Sequence, residues 1–329
     1  MTSPAVKLIA LDKGPVPPEL APFVNDAETA RAVADKYPVV VNDYWLSLAK
    51  RDKVRDGSMA SDPILAQALP DVRELTEILP GDCPDPFEEL SEASPMPGLV
   101  HRFPDRVLVV VSDACAMRCR HCTRKNLLGT HFVPGDADIA RMRDYVAARP
   151  AIREVLLSGG DPLMLGDETL AARVETFASL PQIYSVRIGT RIPCTYPLRV
   201  TDALAARLGK SRKVWVNTQF NHPREITPEA TRACALLVDA GIPVSCQTVL
   251  LKGVNDDPDT LEALFRGLQA IRVRPYYAFA GDPVSGTAHF RVSRERAAEL
   301  EREVATRIGG LALPRFVADI PRAPRKTPC

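Results

Sequence analysis

The stretch Ser112-Asp-Ala-Cys115-Ala-Met-Arg-Cys119-Arg-His121-Cys122-Thr-Arg124-Lys125 puts three of the chain's eight cysteines inside eight residues, as C-x3-C-x2-C. That spacing asks for one metal centre. A structural zinc site takes four ligands, usually as two pairs. No second pair exists, because Cys83, Cys194, Cys234, Cys246 and Cys329 lie scattered along the sequence. A disulfide framework suits small secreted domains, whereas 329 residues with no recognisable secretory leader need no staples. The better fit is a [4Fe–4S] cluster, which normally takes four thiolates; three leave one iron open to something other than protein. The plain alternative is a chance grouping of cysteines in a structural loop.

Working outward, Arg106-Val-Leu-Val-Val-Val-Ser112 reads as a buried strand, and the cysteines sit in the loop that leaves its carboxyl end. From there a strand-then-helix rhythm repeats. Strands are expected at 107–111, 154–157, 185–189, 214–218, 243–250 and 271–277, with helices at 137–148, 168–179, 202–208, 228–240 and 259–270. Thr227-Pro228-Glu229 supplies a capping Thr and a first-turn Pro. Strands joined by crossover helices make a parallel sheet. The pattern alone leaves open whether that sheet is an open doubly wound one or a partial barrel.

The motifs resemble the radical S-adenosylmethionine (SAM) superfamily, and within it the lysine 2,3-aminomutase branch. The resemblance rests on His101 to Lys125 (HRFPDRVLVVVSDACAMRCRHCTRK), LLSGGDPLML (156–165), FNHPREIT (220–227), QTVLLKGVND (247–256) and IRVRPYY (271–277), in the family's order over residues 80–328. It implies a (β/α)6 partial TIM barrel with an N-terminal helical appendage and a C-terminal extension. We expect residues 1–100 to form the appendage and linker, 101–290 the barrel, and 291–329 a last helix (293–308), an extended run (314–319) and a cofactor-lysine tail.

The resemblance also implies site residues. Cys115, Cys119 and Cys122 would ligate the cluster. Ser158, Gly159, Gly160 and Asp161 would meet the SAM amino group, where glycine permits close backbone approach and a carboxylate accepts from an ammonium. Gln247 would lie near the SAM ribose and His121 near the adenine. Lys326 matches the lysine that holds pyridoxal 5'-phosphate (PLP) as a Schiff base, and Arg102 and Arg106 match positions near its phosphate. Arg124 would grip the substrate carboxylate, while Asp282 and Asp319 would hold a lysine side-chain ammonium; glutamate-specific relatives would not keep both. Two departures stand out: Arg322-Ala-Pro-Arg325 replaces the family's glycine run before the PLP lysine, and Gln219 stands where relatives often carry His. Shorter relatives that modify a lysine on elongation factor P also lack the glycine run.

The bulk numbers agree with an enzyme of small molecules. Net charge is +1, from 42 basic and 41 acidic residues, which makes no electrostatic case for nucleic acid or an anionic membrane. No long apolar run appears, so a cytoplasmic chain is expected. The implied activity is amino-acid 2,3-aminomutation on lysine or a related cationic amino acid through a 5′-deoxyadenosyl radical. An electron donor such as flavodoxin or ferredoxin is implied, and a homo-oligomer is possible. Two rivals stay open: a radical SAM enzyme on this scaffold that deaminates or dehydrogenates without PLP, and a metal-binding structural protein.

Overall fold

The computed structural model describes residues 6–11, 14–49, 62–129 and 132–329. It opens with a short antiparallel ladder, β1 (Leu8–Leu11) on β2 (Val39–Asn42), around the helix Ala27–Lys36. The sequence reading expected only helices and turns here. Four-residue strands are too short to show an alternating pattern, which is why LIAL and VVVN escape it.

The main sheet has nine strands: β3 (Leu99–Phe103), β4 (Arg106–Ser112), β5 (Glu154–Gly159), β6 (Ser185–Gly189), β7 (Val214–Thr218), β8 (Val244–Val249), β9 (Arg274–Phe279), β10 (Arg315–Ala318) and β11 (Thr327–Pro328). They neighbour one another in strict chain order. From β4 to β10 every pairing is parallel, while β3 and β11 close the two edges as antiparallel partners. The six expected strands are thus present, and the extended run expected at 314–319 joins them as a seventh parallel strand, β10. Parallel strands are covered on both faces, so they read as continuous apolar runs; Val107, Val109, Val110 and Val111 of β4 are all buried.

Helices return each strand to the same end of the sheet. Two of the helices start on side-chain caps followed by Pro: Thr227 accepts from the Ala230 amide and Asp257 from the Thr260 amide. The sheet bends until its edges face each other. Arg102 of β3 reaches Asp319, just past β10, at 3.2 Å, and the Lys326 ammonium lies 5.6 Å over the Phe103 ring. Side chains, not a ladder, bridge that gap among the described residues. The result is a partial barrel in the mixed α/β class with its functional end at the strand carboxyl termini. No described helix is long and apolar enough to cross a membrane.

Candidate active site

A cavity of about 430 Å³ opens at that end, and all the site residues singled out in the sequence line it. Cys115, Cys119, Cys122 and the Gly159-Gly160 turn packed on their loop form one group of lining residues, and Lys326, Asp282, Asp319, Arg102 and Arg106, which pair with or feel one another's charge, form another.

The cysteine loop leaves β4 and is fastened by residues far away in sequence. Its backbone meets the amino-terminal segment where the Arg118 amide donates to Val40 O at 2.8 Å and the Arg120 amide to Gln67 O at 2.9 Å. Asn42 donates to Ala116 O at 3.0 Å. Glu74, fully buried, takes Arg120 Nη2 and Lys125 Nζ on the same oxygen at 2.5 Å each. Lys125 spends its other donors on Arg120 O and Gly286 O. Burial, with Arg120 alongside, pulls Lys125 down to about 7.

The three thiols fit a cluster. No described trio of His, Cys, Asp or Glu is gathered tightly enough for a single ion, yet all three cysteines face one cavity. Burial and their mutual repulsion push the Cys115 thiol well up and Cys122 to about 11. Such thiols become thiolates only beside cationic charge, which cluster irons supply.

The Gly159-Gly160 turn explains itself by packing. Gly159 has φ +119, and a Cβ there would stand 2.3 Å from Ser112 O; a Cβ on Gly160 would stand 2.5 Å from Ala114 O. The Gly160 and Asp161 amides donate to Ser112 O and Ala114 O at 2.6 and 2.8 Å. Glycine is therefore required to lay this turn on the cysteine loop. Asp161 departs from its expected part as a free acceptor. It takes Thr190 Oγ1 at 2.7 Å, the Leu163 amide at 3.0 Å and the Arg191 amide at 2.7 Å, which leaves little of the carboxylate for an ammonium. Its pKa is raised by burial.

His121 is buried, and its Nε2 accepts from Gln219 Nε2 at 2.9 Å and Asn221 Nδ2 at 3.2 Å. The proton therefore sits on Nδ1, and burial followed by Arg191 holds the ring neutral. Gln219 fills its place as a donor to this imidazole. Gln247, on β8, lines the cavity.

Of the charged residues expected to meet substrate or phosphate, Arg124, Arg102 and Asp319 have partners within the protein. Arg124 closes its fork on Glu89, with Nε–Oε2 2.6 Å and Nη2–Oε1 2.9 Å, and only Nη1 remains, on Ser158 Oγ at 3.1 Å. Arg102 is engaged by Asp319 and stacks 4.4 Å over Phe87 instead of standing free for a phosphate. Asp319 accepts from both Arg102 and Lys326, while Asp282 Oδ1 is buried with no hydrogen-bond partner. The cause is common: a charge taken from water pairs with the nearest opposite charge. Burial drives Asp282 up to about 7, and burial with Arg102 drives Lys326 down to about 7. Arg106 lies 4.3 Å over Phe103. The tail loop tolerates its missing glycines because Arg322 itself takes φ +62 and pairs with Glu88 outside the cavity.

Sequence reasoning missed several residues that set this geometry. Glu74, Glu89 and Gln67 carried no local signal, and Glu225 lay unremarked inside the FNHPREIT motif. Arg187 and Arg191 did carry one, since each is a cation on β6 or just past its carboxyl end. Arg187 bonds Glu154 at 2.5 Å, and its buried Nε has no partner at the cavity wall.

A three-cysteine loop and a glycine turn at the mouth of a partial parallel barrel define a radical SAM enzyme, and residues 109–264 match the family described as the Radical SAM superfamily. A solved structure described as native anSMEcpe with bound AdoMet superposes with TM-score 0.50 at 13% identity, over 60% of this chain and 59% of that one, a likeness of fold alone. The chain is 42% identical over 268 residues to L-lysine 2,3-aminomutase of Fusobacterium nucleatum, covering 81% of this chain and 62% of that protein. It is 42% identical over 292 residues to that of Clostridium subterminale, covering 88% and 68%. It is also 35% identical over 305 residues to glutamate 2,3-aminomutase of Clostridioides difficile, covering 92% and 70%. The chain belongs to the lysine 2,3-aminomutase family. It spans about two thirds of the length of these relatives.

Proposed function

We propose that the chain is a radical SAM, PLP-dependent 2,3-aminomutase, an isomerase that moves the amino group of lysine, or of a related cationic amino acid, from Cα to Cβ. The observation that carries the substrate class is Asp282. A buried carboxylate oxygen with no partner, at the far end of the cavity, asks for a cation from the ligand. A glutamate side chain there would set two carboxylates against each other.

Cys115, Cys119 and Cys122 hold the cluster, with the Ser158–Asp161 turn, Gln247 and His121 around SAM. Lys326 holds PLP. Burial lowers the Lys326 pKa to about 7, so a substantial share of the amine is unprotonated near neutrality, and it faces the cavity, as a nucleophile toward an aldehyde must. Arg106 lies toward the phosphate, with Arg102 keeping Asp319 in place. When bound, the cluster and SAM supply the hydrogen-abstracting radical, and PLP supplies the π system that lets nitrogen migrate. The chain's own residues orient and exclude. Asp282 fixes the side-chain ammonium with Asp319 beside it, the Arg124 Nη1 edge meets the carboxylate, and the buried wall keeps water from a radical. A one-electron donor such as flavodoxin or ferredoxin serves the cluster, and the chain works in the cytoplasm.

The test is a substrate panel. Anaerobically reconstituted protein with SAM, PLP and dithionite is given lysine, ornithine, arginine, glutamate and alanine, and β-amino products are separated by chromatography. Lysine should be converted fastest. Faster conversion of glutamate or alanine would refute the assignment.

A further inference from the structure

The Arg191 guanidinium stands 3.0 Å from Cys119 Sγ through Nη1. It has no freedom to leave. Nη2 bonds Gln67 Oε1 at 2.5 Å and Glu225 Oε2 at 3.2 Å, Nε approaches Gln219 O at 3.4 Å, and the group lies 5.1 Å over the Trp45 ring. Glu225 is equally fixed, taking Gln67 Nε2 at 2.9 Å and the Asn221 amide at 3.1 Å. The arrangement is a buried dipole, positive end on one cysteine sulfur and negative end behind it. Cys122 has only a backbone amide, from Arg124.

We propose that Arg191 is a positioning and tuning residue for the iron–sulfur cluster: its cationic hydrogen bond to Cys119 raises the cluster's reduction potential, and Glu225 limits how far. The inference rests on the reading of the three cysteines as cluster ligands. One electron added to a cluster adds one negative charge. A fixed cation at a ligand sulfur stabilises that added charge, and a carboxylate behind the cation opposes it. The low dielectric of the buried site leaves both effects poorly screened. The bond also singles out Cys119, so the charge on the three thiolates is uneven.

The experiment is an EPR-monitored redox titration of reconstituted full-length protein without SAM, for wild type, Glu225→Gln and the charge-balanced Arg191→Gln/Glu225→Gln double variant. Gln at 225 keeps an acceptor for its neighbours, so the single variant retains the Arg191 bond while removing the opposing charge. Its potential should rise. The double variant should fall below wild type by at least tenfold in the reduction equilibrium, about 59 mV for a one-electron couple. Opposite signs are the signature that a merely structural role would not produce. A loaded double variant with wild-type potential, or a fall in Glu225→Gln alone, overturns the proposal. If the double variant does not load, the sign of the Glu225→Gln shift decides it. Wild-type protein that takes up no iron overturns the cluster reading and this inference with it.

Discussion

The two ends of the cavity are built on opposite principles. At the cysteine end nearly every charge has its partner inside the protein: Glu74 holds Arg120 and Lys125, Glu225 holds Arg191, and Asp161 takes three donors. At the lysine end Arg102 and Lys326 share Asp319, but Asp282 Oδ1 and Arg187 Nε have no hydrogen-bond partner, and burial brings both Lys326 and Asp282 to about 7. A fully paired set of charges fixes a geometry before anything binds. A set that leaves polar atoms such as Asp282 Oδ1 and Arg187 Nε unpaired waits for a ligand whose charges complete it. The cluster loop must be rigid to expose one iron, while the far end must exchange partners when cofactor and substrate arrive.

The contrast can be broken at either end. The largest effect belongs to Cys115, Cys119 and Cys122: alanine at any one should abolish iron content and SAM cleavage together, while alanine at Cys83, Cys194, Cys234, Cys246 or Cys329 leaves both in place. Iron analysis with deoxyadenosine detection reads this directly, and full cluster loading in Cys119→Ala would refute the ligand set.

Next is the clamp. Glu74→Gln leaves two buried cations without their carboxylate, a loss of about 3–5 kcal/mol in stability. A drop in denaturant midpoint with poor iron retention is expected; a midpoint equal to wild type would show that the amino-terminal segment does not hold the loop.

At the other end Asp282→Asn should weaken lysine turnover by about two orders of magnitude or more, with iron content and thermal midpoint unmoved. Unchanged lysine turnover would dissolve the cation site. The same substitution at Glu74 and at Asp282 therefore separates a fold-holding carboxylate from a ligand-holding one.

The smallest effect is in pH. Burial lowers Lys326 to about 7, so its amine is free above that pH and protonated below it. PLP uptake should fall about tenfold per unit below pH 7 and level off above it. A rise that continues toward pH 10 would mean an ordinary exposed lysine. Asp282 and Lys326 lie close enough to influence each other, so near neutrality the pair titrates as a unit.

The same contrast governs what could be read without coordinates. Strands β4 to β9 were legible because buried parallel strands are apolar runs, and the helix start at Thr227-Pro228 because it is a cap. The strands of the β1–β2 ladder are four residues each, too short to declare a period, whereas β10 falls inside the extended run expected at 314–319. The cavity residues were legible through motifs that lie in local sequence. Their partners were not, since Glu89 meets Arg124 from 35 residues away and Glu74 meets Lys125 from 51. Nothing local says which carboxylate will face which cation, and it is this pairing that separates a satisfied Asp319 from an unsatisfied Asp282.

Among the described residues two lysines are lowered by burial to about 7, and they decide the account. Lys125 is buried with its donors on Glu74, Arg120 O and Gly286 O, and it does not line the cavity; Lys326 faces it. The direct measurement is borohydride reduction of the PLP-loaded protein followed by peptide mapping. The phosphopyridoxyl group should be found on Lys326 and vanish in Lys326→Ala, which keeps its cluster. Label on Lys125 or Lys252, or no label on a protein that still makes β-amino acid, would contradict the assignment of the cavity's two ends.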